Sequence, residues 1–144
     1  LKIYDYLRNV VPDKEHALMA VRNFSVENWN TQLRAFIGPG AETMIAGETK
    51  QGKYDKAKHA KRLIRILNKW EEIQSILHGM PTHDELMMKM NGIGAPVSAD
   101  YLGYSDETVR TTFEMTKDIR DKYIGSRLLW DLGLLDSAAE VLYC

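Results

Sequence analysis

The sequence predicts an all-α protein, a compact multi-helix domain spanning residues 1–144. Three observations carry that expectation. Apolar residues recur at three- and four-residue intervals in every strong segment, and no segment sustains two-residue alternation. Helix-start residues and Gly/Pro stops divide the chain at helix-length intervals.

In chain order, "LKIYDYLRNVV" pairs Leu1 with Tyr4, Ile3 with Leu7 and Tyr6 with Val10 at helical spacing. It begins without a capping residue, which suggests a chain cut from something longer. Pro12 and Asp13 then start a helix whose apolar face is Ala17, Leu18, Val21 and Phe24. Ser25 caps the next, with Val26, Trp29, Leu33, Phe36 and Ile37 in register, and "GPG" at 38–40 breaks it. A short helix around Met44 and Ile45 leads to the loop "KQGKYD", ending in Asp55, a good N-cap. The longest predicted element runs from Lys56 to Leu77. Its stripe is Ala60, Leu63, Ile64, Leu67, Trp70, Ile73 and Leu77, widened by Ile66. Gly79 and Pro81 stop it. Thr82 and Glu85 form a capping box opening "DELMMKM". Ser105 caps a helix with Val109, Phe113, Thr116, Ile119 and Tyr123 on one face, and Gly133 divides the last segment into two short helices.

The composition bounds the function. With 144 residues, 27% of them charged, and a net charge of −1, the chain lacks the basic excess of a nucleic-acid or membrane-surface protein. No apolar run approaches the roughly 18 residues that span a bilayer, and no signal peptide is visible. The single Cys144 excludes an intrachain disulfide and a cysteine zinc site, and suits a reducing, cytoplasmic setting.

Candidate chemistry is sparse. Gly92-Ile93-Gly94 could begin a dinucleotide loop, but the third glycine is replaced by Val97 and no strand precedes it. The glycines therefore read as a helix stop, with Pro96 barring continuation and Ser98 capping a short new turn. His78 and His83 are five apart, an interval that does not put two ligands on one helical face, and Gly79 and Pro81 intervene. His16 and His59 sit alone among charged residues and read as surface positions. The stretch "KQGKYDKAKHAKRLIR" holds seven of the nineteen Lys and Arg. It reads as a solvated helix face, with a nucleic-acid contact through Lys53 to Arg65 as the competing reading. Trp70, Phe113, Met87 and Met90 read as core positions. Ser25, Ser98 and Ser105 read as caps, and the carboxylates are scattered without an apparent partner. No catalytic, cofactor-binding or metal-ligating residue is assigned to this chain.

The order of motifs in "GIGAPVSADYLGYSDETVRTTFEMTKDIRDKYIGSRLLWDLGLLDSAAE" resembles the C-terminal end of the sn-glycerol-1-phosphate dehydrogenases. These belong to the superfamily of iron-containing alcohol dehydrogenases, glycerol dehydrogenases and dehydroquinate synthases. The resembling pieces are Gly94-Ala95-Pro96, Leu102-Gly103-Tyr104-Ser105, Ile119-Arg120-Asp121-Lys122-Tyr123 and Leu132-Gly133-Leu134-Leu135. Upstream, "YDYL", "PDKEHAL" and "GKYDKAKHAKRLIRILNKWEEI" also look like helices of that family. The resemblance implies a parent enzyme that reduces dihydroxyacetone phosphate with NAD(P)H and a divalent metal, zinc or nickel. It implies an upstream Rossmann-like domain of the same polypeptide as the partner, and a possible homo-oligomer. The family's second histidine ligand lies in a His-Gly-x-x-Val-Gly motif that this chain does not contain; His78-Gly79 is followed by Met80-Pro81-Thr82 instead. The expected role is therefore a helical cap supporting the metal site and the interdomain cleft, inactive alone. A free-standing helical interaction module is the alternative.

Overall fold

The computed structural model describes residues 2–119 and 122–143, without the side chain of Asp100. Leu1, Arg120, Asp121 and Cys144 lie outside the described residues, and with them the Leu1–Tyr4 pairing and part of the Ile119–Tyr123 motif. Among the described residues the secondary structure is entirely helical, as the periodicity predicts. The α-helices are α1 (Lys2–Arg8), α2 (Lys14–Asn23), α3 (Val26–Ile37), α4 (Ala41–Gln51), α5 (Lys56–Asn68), α6 (Trp70–Gly79), α7 (His83–Gly92), α8 (Asp106–Ile119), α9 (Gly125–Asp131) and α10 (Leu135–Tyr143). Single 3₁₀ turns cover Gly38–Gly40 and Asp100–Leu102.

The predicted caps are present. Asp13, Ser25 and Asp55 accept hydrogen bonds from the backbone N–H groups of His16, Asn28 and Lys58, so each satisfies a donor the first turn would otherwise leave unpaired. Thr82 and Glu85 form the reciprocal capping box. The Ser105 hydroxyl accepts from the N–H of Thr108 at 3.2 Å.

Two stops share one geometry. At Gly133 the N–H bonds the Trp130 carbonyl at 3.0 Å, and the next N–H, of Leu134, bonds that of Leu129 at 2.8 Å. At Gly94 the same pair of bonds runs to Asn91 and Met90. Both glycines have φ near +70°, so each is the left-handed residue of a Schellman termination. The Gly-Ile-Gly motif is a helix stop.

The long predicted helix from Lys56 to Leu77 is corrected to two. At Lys69, φ and ψ are −110° and 12°, and the chain turns before Trp70. The turn splits the apolar stripe. Leu63 and Ile66 of α5 and Leu77 of α6 are buried, Trp70 and Ile73 are only half-buried against the same core, and Ile64 faces solvent. The turn also gives the halves different partners: α5 packs on α2 and α9, whereas α6 packs on α1. The short helix expected around Met44 runs on through Gln51, so the loop shrinks to residues 52–55.

The larger core gathers Leu7, Val21, Leu63, Phe113, Leu129 and Trp130 with their neighbours, and a smaller one holds Trp29, Leu33, Ala41 and Met115. Phe24 and Tyr54 pack against both. The expected core role of Met87 and Met90 is corrected. Among the described residues of α7 none is buried, because α7 is not among the helix pairs that pack extensively.

Gly133, in the turn between α9 and α10, lies close against α2: a Cβ there would stand 2.9 Å from Ala20 Cβ and 3.2 Å from Ala17 Cα. Gly133→Ala combines a left-handed penalty of about 1–2 kcal/mol with overpacking of about 1–3 kcal/mol. Urea denaturation should show a loss of about 3 kcal/mol; an unchanged midpoint would contradict the close approach of α2 to Gly133.

Candidate functional site

The dominant polar feature is a charge cluster buried between α3, α8, α9 and the loop joining α4 to α5. Lys117 follows Phe113 by four residues, so α8 turns it onto its own apolar face. Lys117 is 1% exposed and Asp118 3%. The Asp118 carboxylate accepts the Trp29 indole N–H at 2.7 Å and the Tyr54 hydroxyl on the same oxygen, Oδ2. Lys117 Nζ lies 3.6 Å from that oxygen and 2.8 Å from the centroid of the Trp29 ring. On the other side Arg127 Nη1 lies 3.8 Å from Asp118 Oδ1, an ion pair beyond hydrogen-bond reach. The Arg127 guanidinium stacks 4.4 Å from the Trp130 ring centroid and donates to the Lys53 carbonyl at 2.6 Å.

Asp131, one turn after Arg127, forms the second half of the cluster. Arg62 binds it bidentately at 2.9 and 3.1 Å, and the Tyr123 hydroxyl donates to it at 2.8 Å. His59 Nε2 reaches the Asp131 carbonyl at 2.9 Å, which assigns the ring proton to that nitrogen. Its ring packs edge-on against Trp130. His59 is 1% exposed, so its expected surface position is corrected: it precedes Leu63 by four residues and shares the buried face of α5. The loop closes the arrangement through an ion pair of Lys53 with buried Glu48.

Burial shapes the titration of these groups. Desolvation, assisted by Arg127 and opposed by Asp118, lowers Lys117 to about 7. Desolvation, assisted by Asp118 and opposed by the Lys53 hydrogen bond, raises Glu48 to about 7. Tyr54 is pushed above the ordinary phenol range by burial and by the neighbouring Asp118 charge.

Beside the cluster lies a cleft of about 680 Å³ between α2, α3, α8 and α10, with Phe24, Trp29, Lys117 and Trp130 along its inner wall. Its rim carries Arg110, which pairs with Glu114 and Glu140 at 3.3 Å. Lys117 Nζ is covered by the Trp29 ring, and the cluster's carboxylates are engaged by protein cations. The arrangement is built to hold helices together.

The other histidines remain apart. His16 bonds the Gly133 carbonyl, His78 the Gln74 carbonyl, and His83 approaches Asp84 at 3.3 Å. Among the described residues no three His, Cys, Asp or Glu side chains converge as a metal site. Asp131 is a poor ligand for a cation because Arg62 and Arg127 already face it. The metal implied by the family resemblance therefore does not fit the residues described here. The basic stretch divides: Arg62 and Lys53 belong to the cluster, Lys56 and Lys58 bond the Arg22 and Gln51 carbonyls, and Lys61 and Arg65 remain solvent-facing. The reading of the carboxylates as lacking partners is also corrected, for Asp118, Asp131 and Glu48. Two signals in the sequence point to the cluster. One is the Phe113–Lys117 interval, which puts a lysine on an apolar face; the other is the Arg127–Asp131 pair at i, i+4.

Comparison with known proteins gives no match to this chain among protein-family models, curated proteins or solved structures.

Two outcomes test the cluster. Asp118→Asn keeps an acceptor oxygen for Trp29 and Tyr54 but leaves Lys117 without its countercharge and Arg127 with Asp131 alone. Removing one member of a buried pair costs about 3–5 kcal/mol, and a loss of that order is expected in urea denaturation. The second outcome concerns pH. The folded state releases the Lys117 proton near pH 7, whereas the unfolded chain holds it to about 10.4. The unfolded state thus binds more protons in that window, so stability rises from pH 7 towards 10. Glu48 acts oppositely at lower pH: its stabilising contribution is complete below about 4.3 and is lost as pH rises through 7. Lys117→Met should remove the alkaline rise in the urea midpoint and leave the acidic limb. Parallel alkaline profiles for the two proteins would refute the assignment.

Proposed function

We propose that this chain is the C-terminal helical domain of a metal- and NAD(P)-dependent enzyme of the sn-glycerol-1-phosphate dehydrogenase type. In that reading the cytoplasmic parent reduces dihydroxyacetone phosphate, and this domain braces the metal site and walls the cleft against an upstream Rossmann-like domain. The observation that carries the proposal is the ordered run of motifs from Gly94 to Leu135. The internal engagement of the charged side chains supports a bracing role: Lys117, Asp118, Arg127 and Asp131 are all consumed in joining helices. Hydride transfer needs the nicotinamide held against the carbonyl it reduces, and small misplacements cost about 10²-fold in rate. A rigid helical support is what such geometry requires of its surroundings. No helix among the described residues is long and apolar enough to cross a membrane.

The test compares the purified chain with the full polypeptide its gene encodes. The full polypeptide, loaded with zinc or nickel, should oxidise NAD(P)H in the presence of dihydroxyacetone phosphate. The chain alone should show no turnover and no shift in NAD(P)H fluorescence. Turnover by the chain alone overturns the proposal, as does a gene without a glycine-rich nucleotide loop and a His-Gly-x-x-Val-Gly motif upstream.

A further inference from the structure

Thioethers are concentrated where the core does not use them. Four of the seven methionines, Met80, Met87, Met88 and Met90, fall within residues 80–90. Methionine ordinarily fills gaps in an apolar interior, yet none of the described residues of α7 is buried and Met88 is 68% exposed. Core packing does not account for this cluster.

A crevice of about 840 Å³ lies between the end of α6 and α7, and its walls bring Met80 and Met88 together with His78. His78 comes from the last turn of α6, Met80 from its C-cap and Met88 from the second turn of α7. The frame around them is fixed from α1. Arg8 donates to the Leu77 and Met80 carbonyls at 2.8 and 2.6 Å, holding the turn that carries His78 and Met80. Asp5 accepts the His83 N–H at 2.8 Å, which ties the start of α7 to the same helix.

The donor atoms left facing this crevice are soft and uncharged. His78 Nδ1 lies 2.8 Å from the Gln74 carbonyl. A carbonyl only accepts, so Nδ1 carries the proton and Nε2 keeps its lone pair. Histidines that bind metals are oriented in this way, with the other ring nitrogen donating to a carbonyl or carboxylate. Among the described residues on the walls, Glu85 is the only carboxylate. Its Oε2 is tied to the cap of α7, accepting the Thr82 N–H at 2.8 Å and the Thr82 hydroxyl at 3.2 Å. One neutral imidazole and two thioethers suit a soft monovalent ion, whereas zinc and harder divalent ions draw on thiolate, carboxylate or several imidazoles.

We propose that His78, Met80 and Met88 form a binding site for a cuprous ion, with the imidazole Nε2 and the two thioether sulfurs as its ligands. Methionine is unbranched with three rotatable bonds, so both sulfurs can turn onto one ion while the pinned backbone stays in place. His78 and Met88 are exposed, so the ion enters directly from solvent.

The test is an anaerobic titration with Cu(I) against a chromophoric cuprous chelator, using the Cys144→Ser chain so that no thiol competes. One ion per chain should bind, with a dissociation constant below about 1 µM. Loss of an outer-shell partner already costs metal sites about 10- to 100-fold. Met80→Leu, Met88→Leu and His78→Gln should therefore each weaken binding at least about tenfold, with circular dichroism unchanged. Met90→Leu, an equal-volume change on α7 outside the crevice, should leave it as it was. X-ray absorption of the loaded chain should show sulfur and imidazole nitrogen around copper. No binding overturns the proposal, as does affinity indifferent to Met80→Leu and Met88→Leu, a shell without sulfur, or displacement of copper by equimolar zinc. None of these readouts depends on dehydrogenase activity or on the metal of that reaction.

Discussion

The Asp118 carboxylate is the constraint around which this fold is arranged. Four elements reach it: Trp29 from α3, Tyr54 from the α4–α5 loop, Lys117 from α8 itself and Arg127 from α9. Burying a carboxylate costs several kcal/mol unless donors and cations accompany it. The cost is offset only when all four elements are in place together. That makes the site cooperative, since a helix in the wrong position would leave a charge uncompensated in the interior. The same two aromatic residues that pack on both apolar cores, Phe24 and Tyr54, stack at 4.9 Å beside this carboxylate. The polar cluster and the joint between the cores are therefore one structure.

A buried cluster of this kind is weak evidence for stability in itself, because well-packed apolar residues of equal volume often do as well or better. Its value lies in what it forbids. Asp131 demands Arg62 from α5 and Arg127 from α9 in fixed geometry, and the bidentate bond from Arg62 tolerates little rotation. Apolar contacts between the same helices would permit sliding by a residue or so. The cluster converts a greasy interface into one with a definite register.

Much of the fold was legible in the sequence because its signals are local. Asp13, Ser25, Asp55, Thr82 and Ser105 mark helix starts through bonds to residues three positions on, and Gly94 and Gly133 mark stops through a conformation other residues avoid. The turn at Lys69 was not legible, since neither Gly nor Pro announces it and the apolar spacing continues across it. It exists because α5 and α6 answer to different partners, a tertiary fact. The charge cluster was hidden for the same reason. Asp118 lies 89 residues from Trp29, and Asp131 lies 69 residues from Arg62. A charged residue in a helical pattern reads as a solvated one until its distant partner is known. Lys117 and His59 mislead by their type, although their spacing from Phe113 and Leu63 puts both on buried faces.

The distribution that results runs against the usual partition. Lys117, Asp118, Arg127 and Asp131 are inside, while Met88, Ile93, Tyr101 and Leu102 are outside. Scattered exposed apolar residues of this kind are ordinary on a folded chain, whereas buried charges require partners. The two halves of the inversion sit on different parts of the chain. The charged interior joins α3, α8 and α9, whereas these four exposed apolar residues belong to α7 and the segment after it, which supply none of the joint's side chains. The segment from α7 to Leu102 is therefore a surface feature on a body already fixed by its interior.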